Sequence, residues 1–241
     1  MADKHLSTQF DAELSGVSTR VLEMGGLAES QVVQALYALV NFSAETATQV
    51  LQLEERVNAL EVEIDRELSA IIARRQPTAR DLRLLIAISK TIGNLERVGD
   101  EAARIARTVL RHANSGVSNR LRLPVADAEF AAGLANASLR KALDAFARLD
   151  AESALEVIRD DNQLDIEFDG LLRKLVTYMM EDPRTISSAI DLVFVAKAIE
   201  RVGDHAKNIG EQVVYIVRGE DVRHTGLAER STVMATPAPT P

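Results

Sequence analysis

Two short acidic signatures recur along this 241-residue chain. Glu96-Arg97-Val98-Gly99-Asp100 returns as Glu200-Arg201-Val202-Gly203-Asp204. An acidic pair stands upstream of each copy, Glu61/Asp65 before the first and Asp165/Asp169 before the second. All four pairs are spaced i, i+4. On a helix this spacing stacks two carboxylates on one face, with Cβ atoms about 5–6 Å apart, and costs a few tenths of a kcal/mol in repulsion. Where two such helices face each other, four carboxylates converge, and their oxygens suit a hard or borderline cation such as Mg²⁺, Ca²⁺, Mn²⁺ or iron. At 100° per residue, Glu61 projects within roughly 60° of Val57, Ile64 and Leu68, and Glu96 within about 40° of Leu82, Leu85 and Ile92. These acids therefore belong to helix–helix boundaries, where a carboxylate needs a partner. A network of acid–Arg pairs would also serve, although Arg97 and Arg201 each project about 100° from the adjacent Glu. Spacing alone leaves both readings open.

Other chemistries are poorly supplied. There is no Cys, which removes disulfides, thiolate metal sites and a Cys nucleophile. The four His residues (His5, His112, His205, His224) include no Glu-x-x-His ligand motif of the di-metal bundle type. No nucleophile–base arrangement, Walker sequence or dinucleotide fingerprint is present. His205 is expected on the surface or between helices. Gly25-Gly26 falls inside a helix and reads as a kink or close packing point. Gly99 and Gly203 leave room for a partner helix or an ion to approach.

The elements that must position these residues are helices. Aromatics are 4% and charged residues 27%, Trp is absent, and three of the six Pro lie in the last five positions. This is a helix-former composition without strand-like blocks. Punctuation by Pro and capping residues predicts six helices, at about 7–41, 44–75, 79–113, 125–148, 151–181 and 183–218. Thr78 has the look of a capping-box start, and Asp182 an N-cap with Pro183 in the first helical position. Long helices with short connections pack antiparallel to their neighbours. The net charge of −8 argues against nucleic acid as a partner. With no signal peptide and no apolar span of membrane length, a cytoplasmic protein is expected.

The acidic signatures are one part of a wider duplication. A single ungapped offset of 104 pairs Asn58 with Asn162, Leu60 with Leu164, Glu63 with Glu167, Leu68 with Leu172, Thr78 with Asp182, Ala102 with Ala206 and Ile105 with Ile209. The expected fold is all-α, two tandem three-helix bundles, with a first unit over 1–117, a second over 118–225 and a disordered Thr/Pro-rich tail over 226–241. Asp161 breaks the symmetry: it extends the second acidic ladder upstream, where the first unit has Val57.

The duplicated segments, with Phe10-Asp11-Ala12-Glu13-Leu14, Met24-Gly25, Asn58-Ala59-Leu60-Glu61, His205-Ala206-Lys207-Asn208-Ile209 and the closing Tyr215-Ile216-Val217-Arg218-Gly219-Glu220-Asp221, resemble the PhoU family of phosphate-uptake regulators. The resemblance runs from His5 to about Thr225. It implies two three-helix bundles side by side, whose acidic motifs hold metal clusters in some members. The positions here would be Glu61, Asp65, Glu96 and Asp100, then Asp165, Asp169, Glu200 and Asp204, with iron, zinc, manganese or magnesium as candidate ions. It also implies a non-enzymatic negative regulator of the phosphate-starvation response, with a phosphate ABC transporter ATPase and a sensor histidine kinase as partners. Contact with membrane complexes would be peripheral, and a homodimer is expected. Alternatives are a carboxylate-bridged metal-storage protein and a structural helical scaffold.

Overall fold

The computed structural model describes residues 2–77, 79–114 and 124–223. Its elements are α1 (Ala2–Asn41), α2 (Ala44–Arg75), α3 (Ala79–Asn114), α4 (Val125–Arg148), α5 (Ala151–Glu181), a 3₁₀ turn over Pro183–Thr185, and α6 (Ile186–Arg218). No strand occurs among the described residues. The sequence places the helices within a few residues of these bounds. The last one differs, because Pro183 opens a 3₁₀ turn and the α-helix begins at Ile186. Asp182 caps that turn as expected, its carboxylate accepting the Arg184 N–H at 3.0 Å. Thr78, the 117/118 boundary and the tail lie outside the described residues.

Side chains and left-handed residues set the helix ends. Ser43 caps α2, its hydroxyl accepting the Thr46 N–H at 3.2 Å. Asp150 caps α5 by accepting the N–H groups of Glu152 and Ser153 at 3.0 and 3.2 Å. Three of the turns are made without Gly: Phe42, Gln76 and Leu149 carry φ of 53°, 47° and 50°. Gln76 donates its N–H to Ile72 O, and Pro77, which cannot extend a helix, follows.

Helices α1–α3 form one bundle and α4–α6 a second, joined along α3–α6 and α1–α4. Buried Val21, Met24, Val57, Ile64 and Leu95 fill the first core. Leu139, Leu155, Leu175 and Ile209 fill the second. Gly25 is a packing point, as expected: a Cβ there would come within 2.5 Å of Leu143 Cδ2 on α4. Gly26 beside it faces open space. Gly99 and Gly203 admit side chains of their own bundles. A Cβ on Gly99 would lie 3.0 Å from Gln31 Oε1, and one on Gly203 would overlap Leu164 Cδ2.

Helices α3 and α6 run antiparallel across the seam between the bundles. Lys90 lies over the Tyr215 ring at 5.7 Å, Asn94 meets His205, Glu101 meets Arg201, and His112 meets Asp191. As numbering rises on α3, it falls on α6.

Candidate functional site

Each acidic signature sits where the second helix of a bundle meets the third. In the first bundle, Glu61 comes from α2, and Glu96 and Asp100 from α3. Both Glu61 and Glu96 are partly buried. Burial is the main cause that lifts each carboxyl above its ordinary value. Asp65 and Asp100 add to it for Glu61, and Asp100, Glu61 and Glu54 for Glu96, while Arg97 opposes it in both. The acids thus stand in one electrostatic cluster, as their place on the apolar stripe predicts.

Arg97 departs from the wheel argument. Its Nε lies 3.4 Å from Glu96 and its Nη1 3.6 Å from Asp100, because the long stem curls back over the helix surface. These contacts are loose, and the side chain is 65% exposed. Arg201, its counterpart, turns the other way and donates to Glu101 of the first bundle at 3.1 Å.

In the second bundle the cluster has a different membership. Asp165 is lifted by burial first, then by Asp161 and Glu200, with Lys207 and Lys197 opposing. Asp204 is lifted to about 6, again by burial first, then by Glu200 and Asp161, against the same two lysines. Asp169 lies one turn farther along α5 and is exposed. Asp161, one turn the other way and only 8% exposed, takes that place in the cluster. Lys207 Nζ donates to Asp161 at 2.6 Å and Lys197 Nζ to Glu200 at 2.6 Å. Lys197 also lies over the Phe168 ring at 5.4 Å. Sequence reading passed over both lysines. The offset of 104 would have found them, since it pairs Lys197 with Gly93 and Lys207 with Ala103.

Among the described residues, no group of three or more His, Asp or Glu side chains stands ready to hold a metal ion. The first cluster gathers four carboxylates, three of them partly buried, against one exposed guanidinium, oxygen donors of the type a hard cation takes but not drawn together around one point.

Between the clusters, the seam opens into a groove of about 620 Å³, lined by Arg97, Asp100, Glu101, Arg201, Asp204 and His205 among others. Glu101 is buried at 4% exposure and held by Arg201 and Arg104. His205 takes the interhelix role foreseen for it. Its Nδ1 stands 3.0 Å from Asn94 Oδ1, which also accepts from Asn208 at 3.1 Å. As donor to that oxygen, His205 carries its proton on Nδ1. Burial, aided by Arg97 and Arg201, holds the imidazole down at about 4, so it is neutral at physiological pH.

Asp204 and His205 give opposite pH responses. The folded state binds the Asp204 proton more tightly than the unfolded chain, so ionising it between about 4 and 6 weakens the fold. The unfolded chain binds the His205 proton more tightly, so stability is lost as pH falls from about 6.5 towards 4. We therefore expect Asp204→Asn, melted in chelator, to be more stable than wild type at pH 7.5 by about 1 kcal/mol, after allowance for solvent screening of a half-buried group. The advantage should vanish near pH 4. A variant less stable than wild type at pH 7.5 would contradict the strained carboxylate.

The family model described as PhoU domain matches twice, over residues 21–109 and 131–213. A phosphate-specific transport system accessory protein PhoU homolog from Burkholderia sp is 48% identical over 224 residues, 93% of this chain and 95% of that protein. The Escherichia coli K12 protein of that name is 43% identical over 233 residues, 97% of this chain and 95% of its own. The crystal structure of PhoU from Pseudomonas aeruginosa superposes with a TM-score of 0.81 at 45% identity, covering 88% of this chain and all of that one. The regulatory protein PhoU from Streptococcus pneumoniae gives the same TM-score at 28% identity.

Proposed function

This chain belongs to the PhoU family, and from that premise we propose that it is a non-enzymatic accessory regulator of a phosphate-specific transport system. In this reading it acts in the cytoplasm, carries the state of the phosphate ABC transporter's ATPase to a sensor histidine kinase, and holds the starvation response off while phosphate is plentiful. The observation that carries the proposal is identity of 43–48% along nearly the whole length of relatives named for that transport system. Among the described residues no helix is long and apolar enough to cross a membrane, so contact with membrane complexes would be peripheral.

A relay of this kind works through differential affinity for two states of a partner. The two bundles offer rigid faces for that contact, and the net charge of −8 steers encounter with basic surfaces. A second copy of the chain is a further expected partner. A bound cation would stiffen the bundle that holds it, and Glu61, Asp65, Glu96 and Asp100 would be its ligands in the first bundle.

The test is genetic. Deleting the gene should leave phosphate-starvation promoters switched on in phosphate-rich medium, and the full chain supplied in trans should switch them off. Normal repression in a deletion strain without a second copy would reject the regulator in favour of the storage or scaffold alternatives.

A further inference from the structure

Helix α3 carries a basic residue at every seventh position: Arg83, Lys90, Arg97, Arg104 and Arg111. We propose that this stripe is a docking track for an α-helix of a protein partner whose acidic residues repeat at the same spacing. The inference rests on the accessory-regulator reading for the existence of a partner, and goes beyond it in naming that partner's chemistry.

A step of seven residues returns to the same helix face with a drift of about 20° and advances about 10.5 Å, so the five charges follow one slowly winding line about 42 Å long. The structure sets that line along the seam. Arg83 packs against Gly219 at the C-terminal cap of α6, where an added Cβ would lie 3.6 Å from its Cζ. Lys90 lies over the Tyr215 ring of α6. Arg97 and Arg104 line the groove with Arg201, and Arg111 reaches Asp191. Duplication left one such stripe. The α6 counterparts are Ser187, Phe194, Arg201, Asn208 and Tyr215, so only Arg201 keeps its charge, and it adds to the middle of the track.

The charges on this line are loosely held. Arg97 stands 3.4 and 3.6 Å from Glu96 and Asp100, Arg104 3.4 Å from Glu101 and Arg111 3.3 Å from Asp191, with side chains 65, 48 and 64% exposed. Arg83 Nε is buried with no hydrogen-bond partner among the described residues. A guanidinium fully engaged by a carboxylate sits at about 2.7–2.9 Å. Arg107, on the α2 side of the same helix, reaches that range with Glu54 at 2.7 Å. The stripe therefore keeps donors for an incoming carboxylate, and the neighbouring arginine off the stripe does not.

The spacing selects a helix as the occupant. A partner helix advances by the same step, so one acid in every second turn meets one base of the track, and a crossing angle near about +20° keeps the two lines together. A flexible polyanion has a charge on every unit and would press some of them against Asp100 and Glu101, which line the same groove. The net charge of −8 repels an acidic helix laid elsewhere on the surface, and so fixes its register.

The experiment is fluorescence anisotropy of the full chain with a labelled synthetic helix of about 30 residues, rich in Ala and Gln, with Glu at every seventh position. A second peptide of the same composition carries Glu at every fifth position, which scatters the charges around the helix. Wild type should bind the first peptide at least about tenfold more tightly than the second. Arg97→Gln/Arg111→Gln should lose at least about tenfold of that binding, and Arg107→Gln should keep it. Arg97→Gln alone serves if the double variant fails to fold. Equal binding of the two peptides, binding of neither, or full binding by the double variant would each overturn the inference. Long-chain polyphosphate bound more tightly than the first peptide, and lost in the same variant, would assign the track to an extended polyanion and overturn it as well. In the deletion strain, Arg97→Gln/Arg111→Gln should fail to restore repression where wild type restores it. Restoration by both would overturn the track and leave the regulator standing. Normal repression in the deletion strain itself would reject the regulator, and the peptide measurements would then decide the track alone.

Discussion

Leu164→Ala should cost this protein about 3 kcal/mol, and Gly203→Ala should change from harmful to helpful when made in that background. Leu164 is buried on α5, directly beneath the second acidic cluster, and its Cδ2 fills the notch left by the missing side chain of Gly203 on α6. Truncating a buried Leu costs about 2–5 kcal/mol through lost transfer energy and the cavity left behind. For a chain of this size about 3 kcal/mol lowers the melting temperature by about 6–12 °C. Alanine at 203 gains about 1 kcal/mol of helix propensity, but its Cβ collides with Leu164. In wild type the collision wins, and the substitution should lose about 1 kcal/mol net. With Leu164 already truncated the collision is gone, and the added methyl both fills space and favours the helix. Thermal melts of the four proteins read the sign change directly. Gly203→Ala that stabilises wild type would show that the helices separate easily here.

The second large effect lies in the seam. Arg201→Met should destabilise by about 2–3 kcal/mol, whereas Glu101→Leu with Arg201→Met should return to within about 1 kcal/mol of wild type. Glu101 is almost fully buried. Its Oε1 accepts from Arg201 at 3.1 Å, and its Oε2 has only Arg104 at 3.4 Å. Removing Arg201 leaves a buried carboxylate half compensated, and uncompensated buried charge is what makes broken pairs expensive. The figure sits below that of a wholly isolated charge because Arg104 remains. Removing both partners abolishes the desolvation penalty together with the attraction. Urea unfolding of the two single variants and the double completes the cycle. A double variant as unstable as the sum of the singles would show that the pair is not the unit that matters.

Much of the architecture was legible in the sequence for a specific reason. One ungapped offset runs through two helices and their turn, so every local signal is seen twice. Asp182 with Pro183 marks one helix start, whereas the caps at Ser43 and Asp150 emerge only from the structure. The turns at Phe42, Gln76 and Leu149 were hidden, because each adopts a left-handed backbone without the Gly that would announce it. At the candidate site, the helical wheel placed Glu61 and Glu96 correctly at helix boundaries. It misjudged Arg97, since a wheel gives the direction of a Cβ and not the reach of a four-bond stem. The i, i+4 spacing named Asp169 as a site residue and left Asp161 as an upstream extension, although only Asp161 joins the cluster. The seam was not legible at all. Which residue of α3 meets which residue of α6 depends on packing between bundles, and no periodicity within one helix encodes it.

The polar pairs along that seam act together as a ratchet with one detent. A slip of one helical turn, about 5.4 Å, would part His205 from Asn94, Glu101 from Arg201 and Asp191 from His112 in a single motion. A smaller slip would part the Glu101 carboxylate from Arg201 and leave it with Arg104 of its own helix. The packing of Leu143 against Gly25 on α1 keys the other contact line in the same way. Sliding along the seam would therefore break these contacts together, so the polar pairs hold the two bundles in one register.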